Sequence, residues 1–209
     1  MCGRYYVDDE DMIIEMREII VEINRKNNGQ ADAREVKTGD IYPTYDAPVL
    51  GEDGASLMRW GMPMHGRSII NARSETAAEK YMFAVALKGR RIAVPTNGYY
   101  EWMHEGKKTV GKYLFNVAGQ GMVYLAGLWS IYTLPDGTQR PCYAILTTAA
   151  NDSMAPYHDR MPVYLRGDEC ATWVRDSGAT RDILHRSQPM YSATRVDVPD
   201  KGGQMRIDI

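Results

Sequence analysis

The chain begins Met1-Cys2-Gly3-Arg4. Initiator methionine is commonly removed before a small side chain, and its loss here would leave Cys2 with a free α-amine and a thiol on adjacent carbons. Reference pKa values of about 7.7–8.0 for the amine and about 8.5 for the thiol leave both partly nucleophilic near neutral pH. A 1,2-aminothiol reacts with aldehydes in its own way: the amine forms a Schiff base and the thiol then closes a five-membered thiazolidine. No other natural N-terminal residue gives that ring. With Met1 in place the Cys2 nitrogen is an amide and this route is closed. The alternative is a cysteine that is incidental in a loose terminus.

Three further clusters carry polar groups in places where they could act. Asn71-Ala72-Arg73-Ser74-Glu75-Thr76 follows a short apolar run, so an amide and a guanidinium can be presented together at a strand-to-helix junction. Arg73 could grip a phosphate bidentately there, or Ser74 could simply cap the helix. In Asn97-Gly98-Tyr99-Tyr100-Glu101-Trp102 a carboxylate sits among aromatics after a Pro95/Gly98 turn. Desolvation would raise the pKa of Glu101 and suit it to proton transfer, and Trp102 could stack on an unpaired base. The competing reading is a strand with its aromatics in the core and Glu101 in water. Thr147-Thr148-Ala149-Ala150-Asn151 leads into Tyr157-His158-Asp159-Arg160-Met161-Pro162, which places His158 in a proline-bounded loop. A loop histidine beside Asp and Arg is an acid–base candidate. Asp159 could orient the ring or pair with Arg160, and the histidine could equally be exposed and idle.

Other chemistries find no support. His65, His104 and His185 are scattered, and Cys2, Cys142 and Cys170 are an odd number without ligand spacing. Neither a metal site nor a disulfide framework is expected. No phosphate-cradling glycine loop or dinucleotide fingerprint occurs, so no cofactor is expected. The net charge of −2 supplies no global attraction for nucleic acid, so any such site must be a local basic groove. No apolar run approaches the roughly 18 residues of a membrane helix. The first twenty residues are acidic and polar-interrupted, unlike a secretion signal, and a cytoplasmic location is expected.

These groups must be held by a scaffold. The 209 residues suit a single domain, 1–209, with a real core. Met12, Ile13, Met16, Ile19, Ile20 and Ile23 recur at helical spacing and predict a helix over residues 8–28, started by Asp8 or Asp9 and ended at Asn27-Asn28-Gly29. A second helix is expected from Ser74 to Lys88, stopped by Gly89, with Ala78, Tyr81, Met82 and Val85 as its apolar face. Ile92–Val94, Tyr113–Val117, Val123–Leu128 and Tyr143–Thr147 read as strands, with turns at residues 119–121 and 134–137 and a hairpin tip at Lys107-Lys108. Short helices are expected near residues 168–175 and 181–186, and a loose or edge-pairing tail from Asp200. Strands and helices do not alternate regularly, which makes this an α+β domain, mixed and β-rich, with flanking helices.

Taken together, Cys2-Gly3-Arg4-Tyr5, Arg59-Trp60-Gly61-Met62-Pro63, Asn71-Ala72-Arg73-Ser74-Glu75-Thr76, Gly98-Tyr99-Tyr100-Glu101-Trp102, Ala126-Gly127-Leu128-Trp129 and His158-Asp159-Arg160-Met161-Pro162 resemble the blocks of the SOS response-associated peptidase (SRAP) family, in the family's order, from residue 2 to about 165. The resemblance implies twisted, barrel-like sheets with flanking helices. It implies a protein that senses abasic sites in single-stranded DNA and crosslinks to them through Cys2, shielding the lesion. Asn71, Glu101 and His158 match the polar residues around that nucleophile. Arg4, Arg73 and Arg160 match phosphate contacts, Trp102 a stacking wedge, and Trp60, Ser74, Thr148, Met161 and Pro162 the remaining DNA-binding positions. The implied partner is abasic single-stranded DNA, bound by a monomer. A side reaction with AP-lyase character follows from a Schiff base at C1′. Two other readings remain open: a thiol peptidase or autopeptidase using Cys2 and His158, and a non-covalent single-stranded DNA reader. Arg91–Asn97 departs from the pattern of many members, which bears on local loop shape. The segment after Arg166 matches nothing specific.

Overall fold

The structure, a computed structural model, describes residues 2–8, 14–28 and 34–196. In chain order its elements are strand β1 (Arg4–Val7), helix α1 (Ile14–Asn27), strands β2 (Gly39–Ile41), β3 (Asp46–Gly51), β4 (Gly54–Trp60), β5 (Met62–Met64), β6 (Arg67–Ile69) and β7 (Asn71–Arg73), helix α2 (Tyr81–Gly89), strands β8 (Arg91–Thr96), β9 (Gly98–Glu105), β10 (Lys108–Val117), β11 (Val123–Thr133), β12 (Gln139–Ala149), β13 (Arg160–Pro162) and β14 (Tyr164–Leu165), helices α3 (Cys170–Arg175) and α4 (Thr180–His185), and strand β15 (Tyr191–Arg195). Single 3-10 turns span Ser74–Thr76 and Gly167–Glu169.

The strands form two main layers. In the larger sheet, β12-β4-β3-β8-β11 runs from strand to strand and β11 pairs back onto β12, so the sheet closes into a barrel without a free edge along that circuit. Strands β7 and β13 extend the far end of β12, β7 running parallel to it and β13 antiparallel. The second sheet, β15-β10-β9-β1-β2, is antiparallel throughout. Its inward side chains Tyr5, Tyr99 and Phe115 share one buried cluster with Trp60, Ile92, Leu125, Tyr143 and Ile145 of the barrel. The predicted α+β architecture of barrel-like sheets with flanking helices is therefore the one observed. No described helix is long and apolar enough to cross a membrane.

Local outcomes differ from expectation where periodicity was uninformative. The second helix begins at Tyr81, not Ser74, because Arg73 still belongs to β7 and Lys80 is extended. Its buried face is Phe83 and Ala86, whereas Ala78, Tyr81 and Val85 are exposed. Nearly every residue from Tyr81 to Leu87 is apolar, so the pattern could not tell one face from another. Met16, Ile19 and Ile23 of α1 are buried as predicted. Asp8 precedes that helix as a loop residue, its N–H donated to Asn97 Oδ1 at 2.7 Å. The remainder of the predicted helix start, and the tail from Asp200, lie outside the described residues. Pro95 stands inside β8 rather than at a turn. It stands opposite Tyr124 of β11, while β3 pairs with β8 only at Ala93, so on the β3 side a residue without an N–H interrupts no paired position.

Candidate functional site

Strand alternation explains how a carboxylate enters the interior. Along β9, Tyr99 and Glu101 point inward while Tyr100 and Trp102 point to the opposite face. Glu101 is 3% exposed, and burial raises its pKa above the ordinary carboxylate range. Of the two strand readings the sequence allowed, the structure selects the desolvated Glu101.

Cys2, two residues before β1, is fully buried. Asn71 at the start of β7 donates from Nδ2 to the Cys2 carbonyl at 2.9 Å, and Asn71 Oδ1 is buried without a partner among the described residues. The register of β7 against β12, Asn71 opposite Ile145, delivers this amide to the Cys2 backbone. Burial first, and then the nearby charge of Glu101, push the Cys2 thiol well above its ordinary range. In this setting Cys2 is a thiol rather than a thiolate. Met1 lies outside the described residues.

Four tyrosines line the same interior. Tyr5 and Tyr143 share a hydroxyl–hydroxyl hydrogen bond of 2.5 Å, Tyr99 donates to Met154 Sδ at 3.4 Å, and Tyr191 stacks edge-on to Tyr99 at 5.3 Å. Each of the four feels a charge placed on Cys2. Pattern reading did not single out these residues. The available signal was compositional: 14 tyrosines against 2 phenylalanines imply hydroxyls inside the core.

His158 sits between β12 and β13, and its burial lowers its pKa. Its Nδ1 accepts the Arg160 backbone N–H at 2.9 Å and also lies 2.7 Å from Asp159 Oδ1. One ring nitrogen cannot serve both partners in one protonation state. The neutral ring accepts from Arg160 and carries its proton on Nε2, whereas a proton on Nδ1 would turn the ring toward Asp159. Asp159 also acts electrostatically on Glu101.

Of the expected DNA contacts, Arg73 is exposed and meets no partner among the described residues, Ser74 opens the 3-10 turn without capping it, and Thr148 is half-buried at the end of β12. Trp102 is half-buried, with Arg4 5.3 Å and Lys112 5.9 Å from its ring centroid. Arg4 is itself 4% exposed, paired with Asp40 at 3.2 Å and lying over Tyr42 at 4.2 Å. Trp60, Met161 and Pro162 are buried, and the Trp60 indole N–H is donated to Ile70 O at 3.0 Å, so these three support the site from beneath rather than present a surface. Arg160 does not pair with Asp159. Its guanidinium is held bidentately by Glu75 at 2.8 and 2.7 Å. Asp40, Lys112 and Glu75 also escaped the sequence reading, since each acts across long stretches of chain.

Residues 1–199 match the family model described as SOS response associated peptidase (SRAP), which takes in the segment beyond Arg166 that showed no specific resemblance. The chain is 28% identical to the abasic site processing protein YoqW of Bacillus subtilis (strain 168), over 92% of this chain and 88% of that one. It is 31% identical to the abasic site processing protein YedK of Escherichia coli (strain K12), over 51% of this chain and 47% of that one. A crystal structure of a protein from Bordetella bronchiseptica superposes with a TM-score of 0.72 at 26% identity, covering 94% of this chain and 100% of that one.

Proposed function

Because the chain belongs to the SOS response-associated peptidase family, we propose that it captures abasic sites in single-stranded DNA covalently, through Cys2 freed of Met1, as a cytoplasmic, DNA-associated monomer. The observation that carries this reading is the pairing of a fully buried Cys2, its carbonyl held by Asn71, with a buried Glu101 of raised pKa.

The chemistry follows from those environments. Abasic deoxyribose is a hemiacetal in equilibrium with its aldehyde. His158 gives a proton to the ring oxygen while the hemiacetal hydroxyl passes its own proton to solvent water, which restores the imidazole, and the ring opens with no net change in protons. The Cys2 amine adds to C1′, and protonated Glu101 gives its proton to the departing hydroxyl, so the carbinolamine loses water and leaves an iminium beside the Glu101 carboxylate. The thiol then adds to the same carbon while its proton passes to the Glu101 carboxylate, which closes the thiazolidine with one water released overall. A carboxyl group with raised pKa is suited to accept and return protons near neutrality. A thiol held protonated does not outrun the amine, so the order amine first, thiol second matches the local electrostatics. An iminium that waits too long for the thiol undergoes β-elimination, the route to AP-lyase side products. Arg73, Ser74, Thr148 and the Trp102 face are the surfaces left to guide the strand, with stacking on Trp102 tolerant of sequence.

Nothing among the described residues favours a thiolate–imidazolium peptidase, since the Cys2 thiol is raised and His158 Nδ1 is engaged by its own loop. The test uses protein whose intact mass shows loss of Met1. Incubated with abasic single-stranded DNA, it should yield a slow band that survives denaturing electrophoresis, and Cys2→Ala should yield none. Acylating the terminal amine while sparing the thiol should also abolish the band. Absence of the band with unmodified protein sinks the proposal, and equal binding of intact and abasic DNA by Cys2→Ala and wild type would favour a non-covalent reader.

A further inference from the structure

Glu75 stands at the centre of a frame that the proposed reaction does not use. Its carboxylate receives both guanidinium donors of Arg160, at 2.8 and 2.7 Å, and the Ala149 N–H adds to the hold that keeps its pKa low. The same guanidinium donates to Thr147 O at 2.6 Å, at the end of β12. A planar guanidinium shared in this way has little freedom left. The side chain of Arg160 is 12% exposed.

The main chain of Arg160 does something else. Its N–H is the donor that His158 Nδ1 accepts at 2.9 Å. Two neighbouring bonds fix the rest of the loop: His158 N–H to Met154 O at 3.1 Å and Ala150 N–H to Asp159 O at 3.0 Å. Asp159 Oδ1, 2.7 Å from the same nitrogen, is the competing partner. If the Arg160 N–H swings away, Asp159 captures a proton on Nδ1, and Nε2 changes from donor to acceptor. The charged and titratable groups that act on the ring are the chain's amino terminus and, among the described residues, Asp159, His104 and Arg160.

We propose that Glu75 is a positioning residue: acting through Arg160, it holds the loop so that His158 keeps Nδ1 as acceptor and the proton on Nε2. The inference rests on the reading of His158 as the proton donor in ring opening. It also separates two tasks that one arginine could have combined, because an Arg160 clamped by Glu75 holds the loop, and the open Arg73 is left to meet phosphate.

The test is Glu75→Gln, which keeps the shape and removes the charge of a half-exposed side chain. Two-bond 15N imidazole spectra of the DNA-free protein, with His158 assigned by its own substitution, read which nitrogen is protonated. Wild type should show the Nε2–H form, and Glu75→Gln should move toward Nδ1–H. Its adduct rate at saturating abasic DNA should drop about tenfold, as expected for a misplaced acid–base group, with its pH profile displaced and its affinity for intact single-stranded DNA unchanged. The charge-swapped pair Glu75→Arg with Arg160→Glu should recover the wild-type tautomer. A Glu75→Gln protein with wild-type tautomer and rate overturns the inference. So does tighter binding of intact DNA without a tautomer change, which would make Glu75 a phosphate mimic that competes for Arg160. If wild type forms no adduct, the functional reading fails while the tautomer measurement still decides the role of Glu75.

Discussion

Glu101 occupies a position where a neutral side chain would be more comfortable. Its pKa is raised by burial, so the folded state favours the protonated form more than the unfolded chain does. The sign follows from linkage: stability contributed by a raised carboxyl pKa is complete below the unfolded value of about 4.3 and is lost as pH rises through the folded value. Glu101→Gln removes that penalty. We expect its melting temperature to exceed wild type at pH 7 and the gap to close toward pH 4. Each kcal/mol of relief corresponds to about 2–4 °C in a chain of this size. The same variant should form adduct at least about 100-fold more slowly if Glu101 moves protons. Melting scans at several pH values alongside single-turnover gels check both halves, and a variant that is no more stable than wild type at pH 7 would contradict the desolvated reading. Glu75 titrates in the other sense. Its lowered pKa contributes stability above the unfolded value that is lost as pH falls through the folded one, so the clamp on Arg160 weakens only in acid. Asn71→Ala should destabilise by about 1 kcal/mol through the lost bond to Cys2 O, and slow adduct formation because the nucleophile is no longer held.

The helices depend on a residue that touches none of these groups. Arg91, first in β8 and 3% exposed, donates to Leu87 O at 2.8 Å, Trp173 O at 2.5 Å and Val174 O at 3.1 Å. These carbonyls lie in the last turns of α2 and α3, where intrahelical donors run out and positive charge is favoured. Trp173 answers with its indole N–H on Ile92 O at 2.9 Å. Truncation to Arg91→Ala leaves three carbonyls without that donor, two of them in buried bonds, and should destabilise by about 3 kcal/mol or more. Urea unfolding measures this, while adduct formation in the cold should be nearly unchanged. The strands that carry the site were legible in the sequence because alternation and turn residues act locally: β11 starts at the expected Val123 and runs on to Thr133, and β12 extends the expected strand at both ends. The inward direction of Glu101 was legible as one of two options, since alternation says that Tyr99 and Glu101 share a face but not which face is covered. Arg91 and the Glu75–Arg160 pair were not legible, because their partners lie up to 85 residues away and no periodicity encodes that separation. Trp60 shows a different limit: its block resembled a binding position, and the indole, flanked by strand-forming residues, lies in the core.

At the scale of the whole molecule, several arginines among the described residues are already held by carboxylates. The net charge is −2, and Arg4 faces Asp40, Arg160 faces Glu75, Arg34 and Arg140 share Asp46, and Arg166 and Arg186 share Glu169. A net charge of −2 gives no global attraction for DNA, so affinity for intact single strands should be modest and its salt dependence shallow. For single strands log K falls against log salt with a slope of about −0.7 per phosphate neutralised, so two to three contacts predict a slope of about −1.4 to −2. Arg73, exposed and without a partner among the described residues, should supply one of them. Arg73→Gln is expected to flatten the slope by about 0.7 and to weaken intact and abasic strands alike, because a phosphate contact positions the strand without reading the lesion. The adduct rate at saturating DNA should stay near wild type, since the guanidinium does not touch Cys2, Glu101 or His158. Fluorescence anisotropy across a salt series measures the slope. An unchanged slope in Arg73→Gln would remove Arg73 from the interface. A wild-type slope much steeper than about −2 would mean that pairs such as Arg4–Asp40 open as the strand arrives, so that binding releases cations the free protein keeps to itself.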